Sequence, residues 1–150
     1  KIMLAHVASA EGIVAIENIM GKNSKMDYAK VPSGIYGMPE IAQIGLTEQE
    51  AKAKNIDYKV SKFPLVASGK SLAEGETEGF VKIIAEKKYN EIIGVHILAP
   101  HATDLISEIS VLMELEGTAY ELAKAIHPHP TLSEILMEAA HGIIDKPIHI

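Results

Sequence analysis

The chain has no cysteine and no arginine among its 150 residues. Without cysteine there is no disulfide scaffold and no thiolate metal site. All 14 basic residues are lysine, so no guanidinium fork is available for bidentate recognition of phosphate or guanine. A net charge of −6, with no basic run and no interleaved aromatic platform, argues against a nucleic-acid partner. No apolar run approaches the roughly 18 residues of a membrane span. The opening Lys1-Ile2-Met3-Leu4-Ala5 joins a charge to a short apolar run but lacks the apolar core and cleavage site of a secretory signal. A cytoplasmic protein with no membrane partner is expected. No Gly-x-Gly-x-x-Gly follows a strand-like segment, and there are no repeats or low-complexity stretches.

What is present is ordinary for a soluble globular domain: 47% hydrophobic and 23% charged residues, enough to bury one core. Apolar spacing predicts a helix over 5–21, through Val7, Ala10, Val14, Ile16 and Ile19, followed by a polar linker to Lys30. Residues 35–46 read as extended, interrupted at Pro39 and ended near Gly45. Thr47 and Glu50 carry the spacing of a capping box for a helix ending at Asn55. Residues 58–66 alternate like a strand, and 67–78 read as a loop. Residues 80–85 and 92–98 predict a hairpin. Asp104 is the expected cap of a helix carrying Leu105, Ile106, Ile109, Leu112, Met113 and Leu115, too many for one narrow stripe. Such a helix covers a sheet with one face and wants a partner for another. Short helices are expected over 120–126 and 132–140, the second stopped by Gly142, before an apolar tail over 143–150. Strands with late helices, without βαβ alternation, predict an α+β fold: a mostly antiparallel sheet flanked by helices.

The richest stretch is His127-Pro128-His129-Pro130-Thr131-Leu132-Ser133-Glu134. Thr131 is positioned to cap a helix from Leu132, with Glu134 turned back as a capping-box carboxylate. A glutamate aimed at one nitrogen of His129 fixes its tautomer and leaves the other nitrogen as a proton acceptor. A bare helix cap and a surface turn are the plain alternatives. His127 and His129 as metal ligands have little support, because there is no cysteine and no other His or Asp cluster nearby; no metal is expected. His96, inside an apolar strand, reads as a packed histidine. His101, His141 and His149 sit at loop or tail positions and carry no expected role.

The octet resembles the C-terminal signature of the dihydrolipoamide dehydrogenases, flavoprotein disulfide oxidoreductases. The resemblance runs along the chain: Leu4-Ala5-His6 with Glu11-Gly12, Val31-Pro32-Ser33, Tyr36 with Pro39-Glu40, Gly45-Leu46-Thr47-Glu48, Gly79-Phe80-Val81-Lys82, and Ile93 to Leu98. It departs at Gly37, where threonine is common, and near Lys70, where arginine is common.

The resemblance implies that 1–30 are the terminal helix and linker of the FAD-binding region and 31–150 the dimerisation domain. It implies a fragment whose N-terminal part is absent, since the chain begins at Lys1 without methionine. The parent would be an enzyme using FAD and NAD, with a cysteine pair upstream; the fragment alone would be inactive and hold neither cofactor. Leu4, Ala5 and His6 would lie against FAD. His129 and Pro130 would approach the flavin of the partner subunit in a homodimer. His129 would be the general base toward a dihydrolipoyl thiol and Glu134 its orienter. His127 would shape the site, and Pro130 would follow a cis bond. The parent's partner would be a lipoyl-bearing acyltransferase or glycine-cleavage carrier protein. The interface domain of a glutathione-type reductase and a non-catalytic dimerisation module are the alternatives.

Overall fold

A computed structural model describes residues 2–150; Lys1, the first residue of the expected N-terminal segment, lies outside the described residues. The strands are β1 (Ser33–Ile35), β2 (Glu40–Gly45), β3 (Tyr58–Pro64), β4 (Phe80–Glu86) and β5 (Ile92–Ala99). They form one sheet in the order β1-β2-β5-β4-β3, with every neighbouring pair antiparallel. The helices are α1 (Ala5–Ile19), α2 (Glu48–Ala53), α3 (Gly69–Glu74), α4 (Ala102–Glu114), α5 (Ala119–Lys124) and α6 (Glu134–Ile144). The architecture is the expected α+β arrangement with an antiparallel sheet.

Alternate residues of each strand point to the same face. Ala42 and Ile44, Phe63, Val81 and Ile83, and Val95 and Ile97 are buried in one cluster. Ile106 and Ile109 of α4 and Ile135, Leu136 and Ala139 of α6 complete that cluster. Helix α4 covers β2 and β5, and α6 covers β3 and β4. Each isoleucine fully buried there contributes roughly 1.5–3 kcal/mol relative to exposure.

At α2 the expectation holds. Thr47 and Glu50 form a complete capping box at α2. Four expectations need correction. Residues 67–78 are not all loop, because Ser68 caps α3 through the Ser71 N–H. Asp104 does not cap α4: the helix starts at Ala102 after His101. The reason is distant in sequence, since Glu40 on β2 accepts from Thr103 N–H at 2.9 Å and from its hydroxyl at 2.7 Å. Those bonds hold the Glu40 carboxyl below its ordinary range.

Thr131 is likewise not the cap of the last helix. Helix α6 begins at Glu134 after Ser133, and the Thr131 hydroxyl donates to the Pro128 carbonyl at 2.7 Å. Nor does Gly142 stop α6, which runs through to Ile144. A Cβ on Gly142 would stand 2.1 Å from Ser61 Oγ, so glycine here lets the helix press against β3.

Helix α1 departs from the expected amphipathic pattern: only Val7 is buried, while Ile13, Ile16 and Ile19 are exposed. It is tethered by Tyr28, whose hydroxyl donates to Glu11 at 2.6 Å. On α4, Ala102, Ile106, Ile109 and Met113 are buried, whereas Val111 and the C-cap residue Leu115 are exposed.

Candidate active site

The octet spans the connection from α5 to α6. Thr118 and Glu121, three residues apart in the sequence, form a capping box that starts α5. The chain then turns through Pro128 and a cis His129–Pro130 bond into α6.

His129 Nδ1 lies 2.9 Å from Glu134 Oε1, and the second oxygen of that carboxylate accepts from the Thr131 N–H at 2.8 Å. Burial by itself pushes the Glu134 carboxyl up. The Thr131 and His129 hydrogen bonds, with the nearby His129 and His127 rings, outweigh it and hold the group below its ordinary range. An ionised carboxylate can only accept, so Nδ1 carries the proton of this bond and Nε2 of a neutral ring is an acceptor. The His129 side chain is 75% exposed and Glu134 only 22%. The ring is thus open on one side and supported on the other.

His127 sits differently, with a side chain only 5% exposed. Its Nδ1 donates to the Ala125 carbonyl at 3.0 Å, and Nε2 lies 2.9 Å from Glu108 on α4. It ties the octet to the central helix and has no nitrogen free for solvent. His96 is half-buried with Nδ1 lacking a partner. Burial first, then the Lys82 charge, lowers its pKa against the opposing pull of Glu50 and Glu48.

Leu4, Ala5 and His6 stand apart from this site. Leu4 precedes α1 without a side-chain cap, and the first turn has no acidic residue. The N–H groups of that turn therefore offer partial positive charge. His6 Nε2 donates to the Pro32 carbonyl at 2.9 Å, so the ring is a tether and not the helix cap. This edge fits an electron-rich ring edge, but the rest of a dinucleotide would need residues other than these three.

A cavity of about 280 Å³ adjoins the octet, lined by His129 and Glu134 together with Phe63, Leu72, Glu138 and His149. Glu138 and His149 were not expected there. The spacing of Glu138, four residues after Glu134, was the signal available. Among the described residues, no group of three or more His, Cys, Asp or Glu stands together to hold a metal ion. No helix among them is long and apolar enough to cross a membrane.

Residues 31–140 match the family model for the pyridine nucleotide-disulphide oxidoreductase dimerisation domain. Over 149 residues the chain is 50% identical to a dihydrolipoyl dehydrogenase of Bacillus subtilis, covering 99% of this chain and 31% of that protein. It is 44% identical over 148 residues to a mitochondrial dihydrolipoyl dehydrogenase of Pisum sativum, covering 99% of this chain and 30% of that one. The crystal structure of LpdA from Mycobacterium tuberculosis superposes with a TM-score of 0.88 at 29% identity, over 94% of this chain and 31% of that one. The chain thus spans about three-tenths of the length of these relatives. By sequence and by fold, it belongs to the dimerisation-domain family of the pyridine nucleotide-disulphide oxidoreductases.

Proposed function

We propose that this chain is the interface domain of a dihydrolipoamide dehydrogenase, forming a homodimer and lending His129 and Glu134 to the active site of the partner subunit. The carrying observation is the 2.9 Å contact of Glu134 with His129 Nδ1, which leaves the exposed Nε2 as a proton acceptor. Nε2 takes the proton of a dihydrolipoyl thiol, and a nearby imidazolium favours the thiolate so formed. That thiolate attacks a disulfide of the parent: one S–S bond forms, the original one breaks, and a second thiolate leaves. FAD and NAD supply the electron acceptors when bound. Residues 1–30 complete the FAD-binding region, with Leu4, Ala5 and His6 toward FAD and Pro130 near the flavin of the partner. Residues 31–150 form the interface domain.

The Bacillus subtilis and Pisum sativum relatives are named as dihydrolipoyl dehydrogenases, which supports this substrate. A lipoyl-bearing acyltransferase or glycine-cleavage carrier protein is the proposed partner. The cytoplasm is the proposed compartment; the pea relative is named as mitochondrial, and cell fractionation separates the two. The isolated chain, with no cysteine, turns over no dihydrolipoamide with NAD. The decisive test of the site is reduction of the flavin in the enzyme carrying His129→Gln. An unchanged rate there would remove His129 as the base.

A further inference from the structure

Glu138 is the only buried carboxylate among the described residues, at 3% exposure. A buried charge is costly unless it is paired and hydrogen-bonded. All of its hydrogen-bond partners come from the C-terminal tail: the Ile148 N–H at 2.7 Å, the His149 N–H at 3.4 Å and His149 Nδ1 at 2.5 Å. The carboxylate is therefore satisfied only while the tail is docked.

Glu134 and Glu138 are one helical turn apart on the same face of α6. Each holds the Nδ1 of a histidine, His129 and His149 respectively. All four residues line the same cavity, whose apolar side includes Phe63 and Leu72. Nδ1 of His149 is engaged by a carboxylate, as in His129, so Nε2 of the neutral ring is an acceptor.

We propose that the C-terminal tail, latched by Glu138, forms a wall of the substrate cavity, and that His149 is a specificity-determining residue for the chain of the dithiol that reaches His129. The cavity takes a short aliphatic chain against Phe63 and Leu72, and His149 Nε2 accepts from a polar N–H on that chain. This rests on His129 being the reacting base.

The test uses the flavoenzyme that carries this chain, with two probes: dihydrolipoamide and a short dithiol that lacks the acyl amide. His149→Gln changes an exposed side chain but also removes the ring donor to Glu138, so hydrogen exchange at Ile148 and His149 is read in this variant too, to show that the tail stays docked. The expected result is a KM for dihydrolipoamide raised about 3- to 10-fold, the loss of one hydrogen bond. Its kcat stays within about twofold, and the KM for the short dithiol does not move. Hydrogen exchange at Ile148 and His149 provides a readout of the latch itself. These amides are protected in the wild type, and protection falls at least about tenfold in Glu138→Gln, where the charge is gone. Two results overturn the proposal. One is exchange of both amides at free-chain rates in the wild type. The other is an unchanged KM for dihydrolipoamide in His149→Gln. An unchanged flavin-reduction rate in His129→Gln strikes the base assignment on which the proposal rests, whereas an unchanged KM in His149→Gln strikes the tail alone.

Discussion

Oε1 of Glu134 meets the ring of His129 at 2.9 Å while Oε2 of the same carboxylate meets the backbone N–H of Thr131 at 2.8 Å. One side chain thus ties the start of α6 to the imidazole. Thr131 does not cap the helix, but its backbone N–H and the His129 ring are held together because each uses a different oxygen of Glu134. Rigid backbone on one side and an open ring nitrogen on the other is the geometry that a proton acceptor needs.

This geometry orders two substitutions in the flavoenzyme. His129→Gln removes the proton acceptor and is expected to slow flavin reduction by dihydrolipoamide about 10²- to 10⁴-fold. Glu134→Gln keeps an oxygen for the Thr131 N–H but loses the charge behind the ring, and is expected to cost less. Stopped-flow reduction at equal flavin content measures both. The reverse order would show that Glu134, not His129, dominates the step.

His96 gives the fold a pH dependence of known sign. Burial holds its folded pKa below the ordinary value. Between that value and about 6.5, the unfolded chain binds the extra proton and the folded chain does not. Stability is therefore expected to fall as pH drops below about 6.5, and the loss is complete once pH is below the folded value. Tm profiles between about pH 7.5 and 5 should be flatter in His96→Gln than in the wild type. Parallel profiles would mean that other groups set the slope.

Gly142→Ala should be destabilising although alanine is the better helix former. The added methyl would meet Ser61 Oγ at 2.1 Å and Ser61 Cβ at 3.1 Å. Overpacking of this kind costs roughly 1–3 kcal/mol. Urea unfolding measures it, and Ser61→Gly in the same chain should recover part of the loss. A Gly142→Ala protein as stable as the wild type would show that α6 can move off β3 freely.

Val111 lies exposed on α4, Leu115 just after it, and Ile126 beyond α5. Stable obligate interfaces bury roughly 2,000 Å² or more of largely apolar surface. Sedimentation at micromolar concentration is expected to show a dimer of the 16.2 kDa chain, and Val111→Lys with Leu115→Lys should shift it to monomer. A wild-type chain sedimenting only as monomer would count against the interface.

The reach of each hydrogen bond explains which elements were legible in advance. Thr47 and Glu50 are three residues apart, so their capping box could be read from spacing and is present. The β4–β5 hairpin followed from two apolar runs close in sequence, and the structure pairs Ile83 with Val95. The octet placed His129 and Glu134 five residues apart, and a contact at that range needs only one turn of chain. The Thr118 and Glu121 box at α5 is equally local.

Local chemistry in the sequence thus determined the α+β class, the hairpin, the capping box of α2 and the pairing of His129 with Glu134. Only the tertiary structure decided where α4 and α6 begin and end. The α4 start depends on Glu40 and Thr103, 63 residues apart, and the length of α6 depends on Gly142 meeting Ser61. It also brought His149 to Glu138, a contact with no local signature. A buried carboxylate at Glu138 must find its partners wherever the fold brings a donor, and here the fold brings the tail. Short-range bonds can be read from spacing because few conformations separate their ends, whereas long-range ones exist only after the core has packed and chosen which surfaces meet.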